Sequence, residues 1–231
     1  MMEDGMSGFS RRSLLLGLCG AGLLAGCNFP TAMYFLMPEA KEPAEYKRLA
    51  SDDKKKEVRV VLWTYSALDM RTEFIQADRL LTDMLARYIH KMTEENQEKL
   101  TVVSPRKVED YKNTHPEWKS LRLEEVGHYF KADYVVQLEI DQLSLYEPNA
   151  HEQLYSGRTH ILVSVVDVKN PDESPHPTEF TDRYPTEARA IDALDMPPMV
   201  FRQKFLDHVA KRLSYFFVNH QKRERVMVMD D

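Results

Sequence analysis

The chain has 231 residues, 43% of them hydrophobic, with 31 basic against 37 acidic side chains and a formal net charge of −6. That is apolar material enough for one packed domain with appended arms, and the acidic balance supplies no basic stripe of the kind nucleic-acid binding uses. With only Cys19 and Cys27 available, a disulfide framework and a thiolate zinc site are both excluded for any mature chain that begins at Cys27.

The first pattern is RRSLLLGLCGAGLLAGC, residues 11–27. Its apolar run from Leu14 to Ala25 holds twelve residues and three glycines, whereas a membrane-spanning helix needs about 20 apolar residues. A basic pair, a short apolar core and small residues before a cleavage point describe a secretory signal peptide. Leu24-Ala25-Gly26-Cys27 resembles the bacterial lipobox. That resemblance implies cleavage between Gly26 and Cys27 and a diacylglycerol thioether on Cys27, with palmitate among the acyl chains. Arg11 and Arg12 also fit a twin-arginine export signal, an alternative to the general secretory route. Two or more acyl chains hold a protein stably at a bilayer. Residues 1–26 are thus expected to be a leader, and their removal keeps the net charge at −6, since Arg11 and Arg12 leave with Glu3 and Asp4.

Residues 27–56 read as a lipid-anchored tether, with Pro30, Pro38 and Pro43 breaking any long helix and the charged run SDDKKKE at its end. Tyr34-Phe35-Leu36-Met37 inside it is an apolar run suited to packing on the domain or touching a partner. The folded domain is expected over residues 57–219, followed by a charged tail, 220–231.

VRVVLWTY (58–65) is β-branched and aromatic, the mark of a buried strand. From Glu73 to Met92 a three- and four-residue spacing of Phe74, Ala77, Leu81, Met84 and Tyr88 predicts an amphipathic helix. LTVVS (100–104) is a second strand closed by Pro105, and strand, helix and strand together make a βαβ unit with parallel pairing. Residues 106–130 read as helix in two pieces, interrupted near Pro116. Tyr134 to Tyr146 alternates apolar and polar residues, a strand with one wet face, and Tyr155 to Val168 returns beside it as an antiparallel partner. EFTDRY suits an edge strand, able to accept a neighbour's strand near Phe180. Val200 to Val218 carries Phe201, Phe205, Val209, Leu213 and Phe216 at helical spacing and predicts a second packing helix. The expected fold is a single α/β (α+β) domain of two or three layers, with a mixed sheet of about five strands, a βαβ unit first and a packing helix last.

No GxSxG, GxxxxGK[ST] or GxGxxG run occurs, and the eight histidines form no HExxH. No catalytic residue, metal ligand or cofactor is therefore assigned. Glu139 and Asp141 could pair as carboxylates beside His160, but the alternation reads them as the solvent side of a strand. The segment ARAIDALDMPPMVF (188–201) places Ile191, Leu194, Met196 and Met199 around a Pro-Pro kink. It reads either as an exposed partner surface, for which methionine is well suited, or as a loop folded over the core. Trp118, beside Pro116, carries the same two readings.

The succession VRVVLW, amphipathic helix, LTVVSPRKVEDY, LEEVGHYFKADYVVQLEI and ILVSVVDV resembles the periplasmic α/β domain of curli-secretion lipoproteins, of the Tol-system propeller protein's amino-terminal domain, and of penicillin-binding-protein activator lipoproteins. Gly127, Ala132-Asp133-Tyr134-Val135-Val136 and Val166-Asp167-Val168 stand at that group's motif positions. Asp167-Val168-Lys169-Asn170-Pro171 replaces its tight glycine turn. The resemblance implies a non-enzymatic envelope lipoprotein that faces the periplasm and docks a protein or cell-wall partner. The alternative is an accessory subunit of a transport system that holds a lipid or other apolar ligand. A filled core with an exposed apolar rim favours the first; a large apolar cavity beneath the helices favours the second.

Overall fold

The computed structural model describes residues 41–66, 74–186 and 190–221. The leader with Arg11, Arg12 and Gly26, the acylation point Cys27, the apolar run 34–37 and tail residues 222–231 lie outside the described residues. In chain order the elements are β1 (Lys41–Glu42), β2 (Val58–Ser66), α1 (Ala77–Glu95), β3 (Leu100–Val102), α2 (Pro105–Thr114), α3 (Leu123–Phe130), β4 (Tyr134–Tyr146), β5 (Leu154–Asp167), β6 (Thr178–Tyr184), β7 (Ile191–Asp192), α4 (Pro198–Ser214) and β8 (His220–Gln221).

The main sheet runs β3-β2-β4-β5-β6, with the two-residue β7 added on β5. β2 pairs parallel with β3 and with β4, while β5 is antiparallel to β4 and to β6. This is the mixed sheet expected, opened by the βαβ unit β2-α1-β3, and β7 is its one addition. β2 reads as a continuous apolar run because both of its faces are covered. Val58, Val60 and Leu62 join the larger core with α1 and α4, whereas Val61 and Trp63 join a smaller one with Val108 of α2 and Val126 and Phe130 of α3. Helices on both faces make three layers.

Two glycines are needed where layers meet closely. A methyl group on Gly127 would collide with the Val168 side chain, so α3 seats against the end of β5 only because that position lacks a Cβ. α3 then ends with Lys131 in the left-handed region (φ 53°), the Ala132 amide donating to the Gly127 carbonyl at 2.9 Å and the Lys131 amide to the His128 carbonyl at 3.2 Å. This is a Schellman-type stop, and it delivers the chain into β4. Gly157 of β5 lies under the Phe205 ring of α4, where a Cβ would sit 2.5 Å from the nearest ring carbon.

Asp133 locks the entry to β4. Its carboxylate accepts the Arg59 amide at 3.0 Å and the Lys169 ammonium at 2.6 Å. Burial pushes this carboxyl up, but the Lys169 and Arg59 hydrogen bonds, with the Lys169 and Lys56 charges, outweigh it and hold the pKa below the ordinary value. The folded chain therefore binds fewer protons here than the unfolded chain. This contribution to stability is present above the unfolded value, about 3.9, and is lost as the pH falls through the lower folded one. Asp133→Asn is expected to cost about 1–2 kcal/mol at neutral pH, the scale of a charge-assisted hydrogen bond at a partly exposed site. The deficit should shrink towards zero in acid when urea unfolding is followed against pH; a constant deficit would contradict the assignment.

The boundaries drawn at residues 56/57 and 219/220 need correction. β1 pairs antiparallel with β8, Lys41 opposite Gln221. The amides of Glu45, Tyr46 and Leu49 donate to the carbonyls of Tyr215, Phe216 and Phe217 at 2.9–3.1 Å, and Leu49 is 1% exposed. Residues 41–50 thus belong to the domain, and so does His220, whose ring stacks on Tyr215 at 4.1 Å. Only Tyr46 and Leu49 are large and apolar in this stretch, so no periodicity announces it. The last helix is also shorter than its apolar spacing suggests, since Phe216, Phe217 and Val218 follow in a turn that packs the same core.

Candidate functional site

An exposed apolar rim forms where β5, β7 and the start of α4 meet. Leu154 of β5 stands opposite Asp192 of β7 and Tyr155 opposite Ile191, which fixes the segment after β7 against the sheet. The Asp192 carboxylate accepts the Leu194 amide at 2.9 Å and its carbonyl accepts the Asp195 amide at 3.1 Å. This turn holds Leu194 at its tip, 95% exposed. Pro197 and Pro198 then start α4, a position where a missing amide proton and a preset φ are no handicap. Met199 and Val200 in its first turn are 75% and 42% exposed. In the turn before α1 Ile75 is exposed too, and its carbonyl accepts the Arg202 guanidinium at 2.8 Å.

Among the described residues 190–201 the segment divides between buried and exposed side chains. Ile191 and Met196 fold over the core, the Met196 carbonyl accepting the Tyr155 hydroxyl at 3.0 Å, while Leu194 and Met199 point outward. Clustered exposed apolar side chains are the usual mark of an interaction surface. Asp192 and Asp195 are exposed beside them and give the rim an acidic border. Ile75 is a member that sequence reasoning missed. It sits just before an ordinary apolar helix pattern, and only the fold turns it outward.

Trp118 leaves this surface. It is half-buried against the smaller core, edge-on to Trp63 and to Tyr65 at 5.7 Å each. Beside it Lys112 of α2 is 7% exposed. Its ammonium donates to the Thr64 carbonyl at 2.6 Å and to Glu109 at 2.9 Å, and lies 5.0 Å and 5.1 Å from the Trp63 and Trp118 rings. A buried cation needs such partners; here they brace α2 against the end of β2.

Glu139 and Asp141 serve different neighbours. Glu139 accepts the Tyr65 hydroxyl at 2.9 Å, and burial together with that carboxylate pushes the Tyr65 pKa up to about 12. Asp141 is exposed and contacts His160 at 3.1 Å, with Glu179 at 3.5 Å from the other ring nitrogen. These groups lie on the sheet face opposite the larger core, as the alternation predicts.

No family model matches the chain, and no curated protein sequence does. Solved structures similar to it include the PelC dodecamer from Paraburkholderia phytofirmans, at 9% identity, TM-score 0.41, covering 78% of this chain and 97% of that one. Lipoprotein GNA1162 from Neisseria meningitidis is similar at 12% identity and TM-score 0.39, over 68% of this chain and 98% of that one. The LpoB C-terminal domain from Salmonella enterica is similar at 13% identity and TM-score 0.33, over 60% and 87% respectively.

Proposed function

We propose that the protein is a lipid-anchored lipoprotein of the bacterial cell envelope, facing the periplasm, that docks a protein partner on the rim of Leu194, Met199 and Val200. The leader and Cys27 supply the anchor in this reading, and the observation that carries the docking role is the apolar rim outside a filled core. The carrier of an apolar ligand needs space between helices and sheet. At Gly157, between α4 and β5, the Phe205 ring leaves no room for even one methyl group, and the apolar groove of about 740 Å³ lined by Leu80, Met84, Leu100 and Val102 lies at the open edge of the sheet, between α1 and the edge strand β3.

The rim lies at the start of α1, where Arg202 holds Ile75, whereas Lys41 meets the Glu95 carbonyl at its end. With 19 residues at the helical rise, the two ends are about 28 Å apart. The end of the domain that leads to the anchor is thus remote from the docking surface. The acidic border favours a partner segment with apolar side chains flanked by Lys or Arg, through complementary charge.

A photo-crosslinker at position 194 of the full chain in cells tests this. The expected result is one discrete protein adduct, lost when the probe is moved to an exposed residue of α2 such as Asn113. Capture of lipid alone, or of nothing, contradicts the docking role.

A further inference from the structure

A groove on the opposite side of the sheet is built unlike the rim. It has a volume of about 560 Å³ and is lined by Arg59 of β2, Lys107, Asp110 and Tyr111 of α2, and Tyr129 and Lys131 at the end of α3. That volume is within the range of about 300–1,000 Å³ typical of small-ligand sites. Three cations against one carboxylate is a local reversal of sign in a chain of net charge −6.

Its aromatic wall is held rigid. Tyr129 is 61% exposed, yet its ring sits 4.4 Å from Tyr111 and 4.9 Å from Phe130. Tyr111 is stacked in turn on His115 at 3.9 Å with an interplanar angle of 19°. An aromatic ring buttressed from behind and open in front offers a flat apolar face with a polar hydroxyl at its edge. Exposed cations beside such a face suit a ligand that carries carboxylates and a ring with one apolar side.

We propose that this groove binds an acidic saccharide. The C–H face of a pyranose ring lies on Tyr129, its carboxylates pair with Arg59, Lys107 and Lys131 through charge-assisted hydrogen bonds, and Asp110 accepts from its hydroxyls. Asp110 favours a ligand that carries hydroxyls beside its anionic groups, since a carboxylate accepts hydrogen bonds from a polyol, and the phosphate probes below separate carboxylate from phosphate. The choice of a saccharide rests on the envelope location proposed above, while the groove and the rim share no residue.

Trigalacturonate titrated calorimetrically into the full-length protein tests the proposal, with its methyl ester, glycerol phosphate and oligothymidylate as competitors. Trigalacturonate is expected to bind, with the uncharged ester at least about tenfold weaker. Lys107→Glu with Lys131→Glu is expected to weaken binding by at least about tenfold, Tyr129→Ala by a similar factor, and Lys131→Arg to retain it. Circular dichroism checks the fold of each variant, and the charge pair decides the matter should Tyr129→Ala fail to fold. Absence of binding, equal binding of acid and ester, or preference for either phosphate probe would overturn the proposal. Because the titration needs neither anchor nor partner, its failure leaves the crosslinking result untouched.

Discussion

Leu194→Glu combined with Met199→Glu abolishes partner capture at the rim while moving the melting temperature by no more than about 4 °C, since each exposed position changes stability by about 0.5 kcal/mol or less. Both side chains already face solvent, so the folded state loses no packing. Docking would bury them. Each apolar anchor is worth about 1.5–3 kcal/mol when removed from water, and two glutamates set beside Asp192 and Asp195 add desolvation and repulsion against the same partner. The loss in affinity should exceed about a hundredfold. Met196→Ala is the contrasting case. Met196 packs on the core, so that variant should lower stability first. If the double variant still captured its partner at full strength, the rim would not be the docking surface.

Phe205→Ala is expected to destabilise the domain by about 3–5 kcal/mol, the range for removing a buried aromatic ring. Phe205 is fully buried between α4 and β5, against Gly157. The reverse error, Gly157→Val, overfills the same contact and should cost about 1–3 kcal/mol by pushing the ring and α4 away from the sheet. The two changes are coupled, because the added valine occupies volume that the lost ring vacates. The double variant should therefore be more stable than the sum of the single losses predicts, by an amount readable in a urea double-mutant cycle. Strict additivity would show that the helix does not rest on Gly157.

The contrast between what was legible and what was not follows the range of the interactions. β2, β4 and β5 announced themselves because their patterns are local: an unbroken apolar run where both faces are covered, alternation where one face is wet. α1 did so through its stripe. The resemblance motif around residues 127–136 has a physical content that the structure supplies. Gly127 admits Val168, Lys131 stops the helix, and Asp133 ties the strand entry to Arg59 and Lys169. By contrast, β1 and β8 pair residues from the two ends of the domain, and neither end carries a pattern of its own.

The sites divide in the same way. Leu194 and Met199 were legible as a candidate surface because the Pro-Pro kink and the methionines share one short segment. Trp118 was ambiguous, since one tryptophan beside a proline does not reveal that Trp63 and Lys112 wait for it. Arg59, Lys107, Tyr129 and Lys131 come from three separate elements, and only the seating of α2 and α3 on the sheet brings them to one groove.

The account as a whole depends on where the chain is held. Intact-mass analysis of the protein isolated from its native membrane, followed by sequencing of its first peptide, tests this most directly. The account predicts a chain that starts at Cys27 and carries a diacylglyceryl thioether. A chain that retains residues 1–26, or a Cys27 with a free thiol, would contradict it.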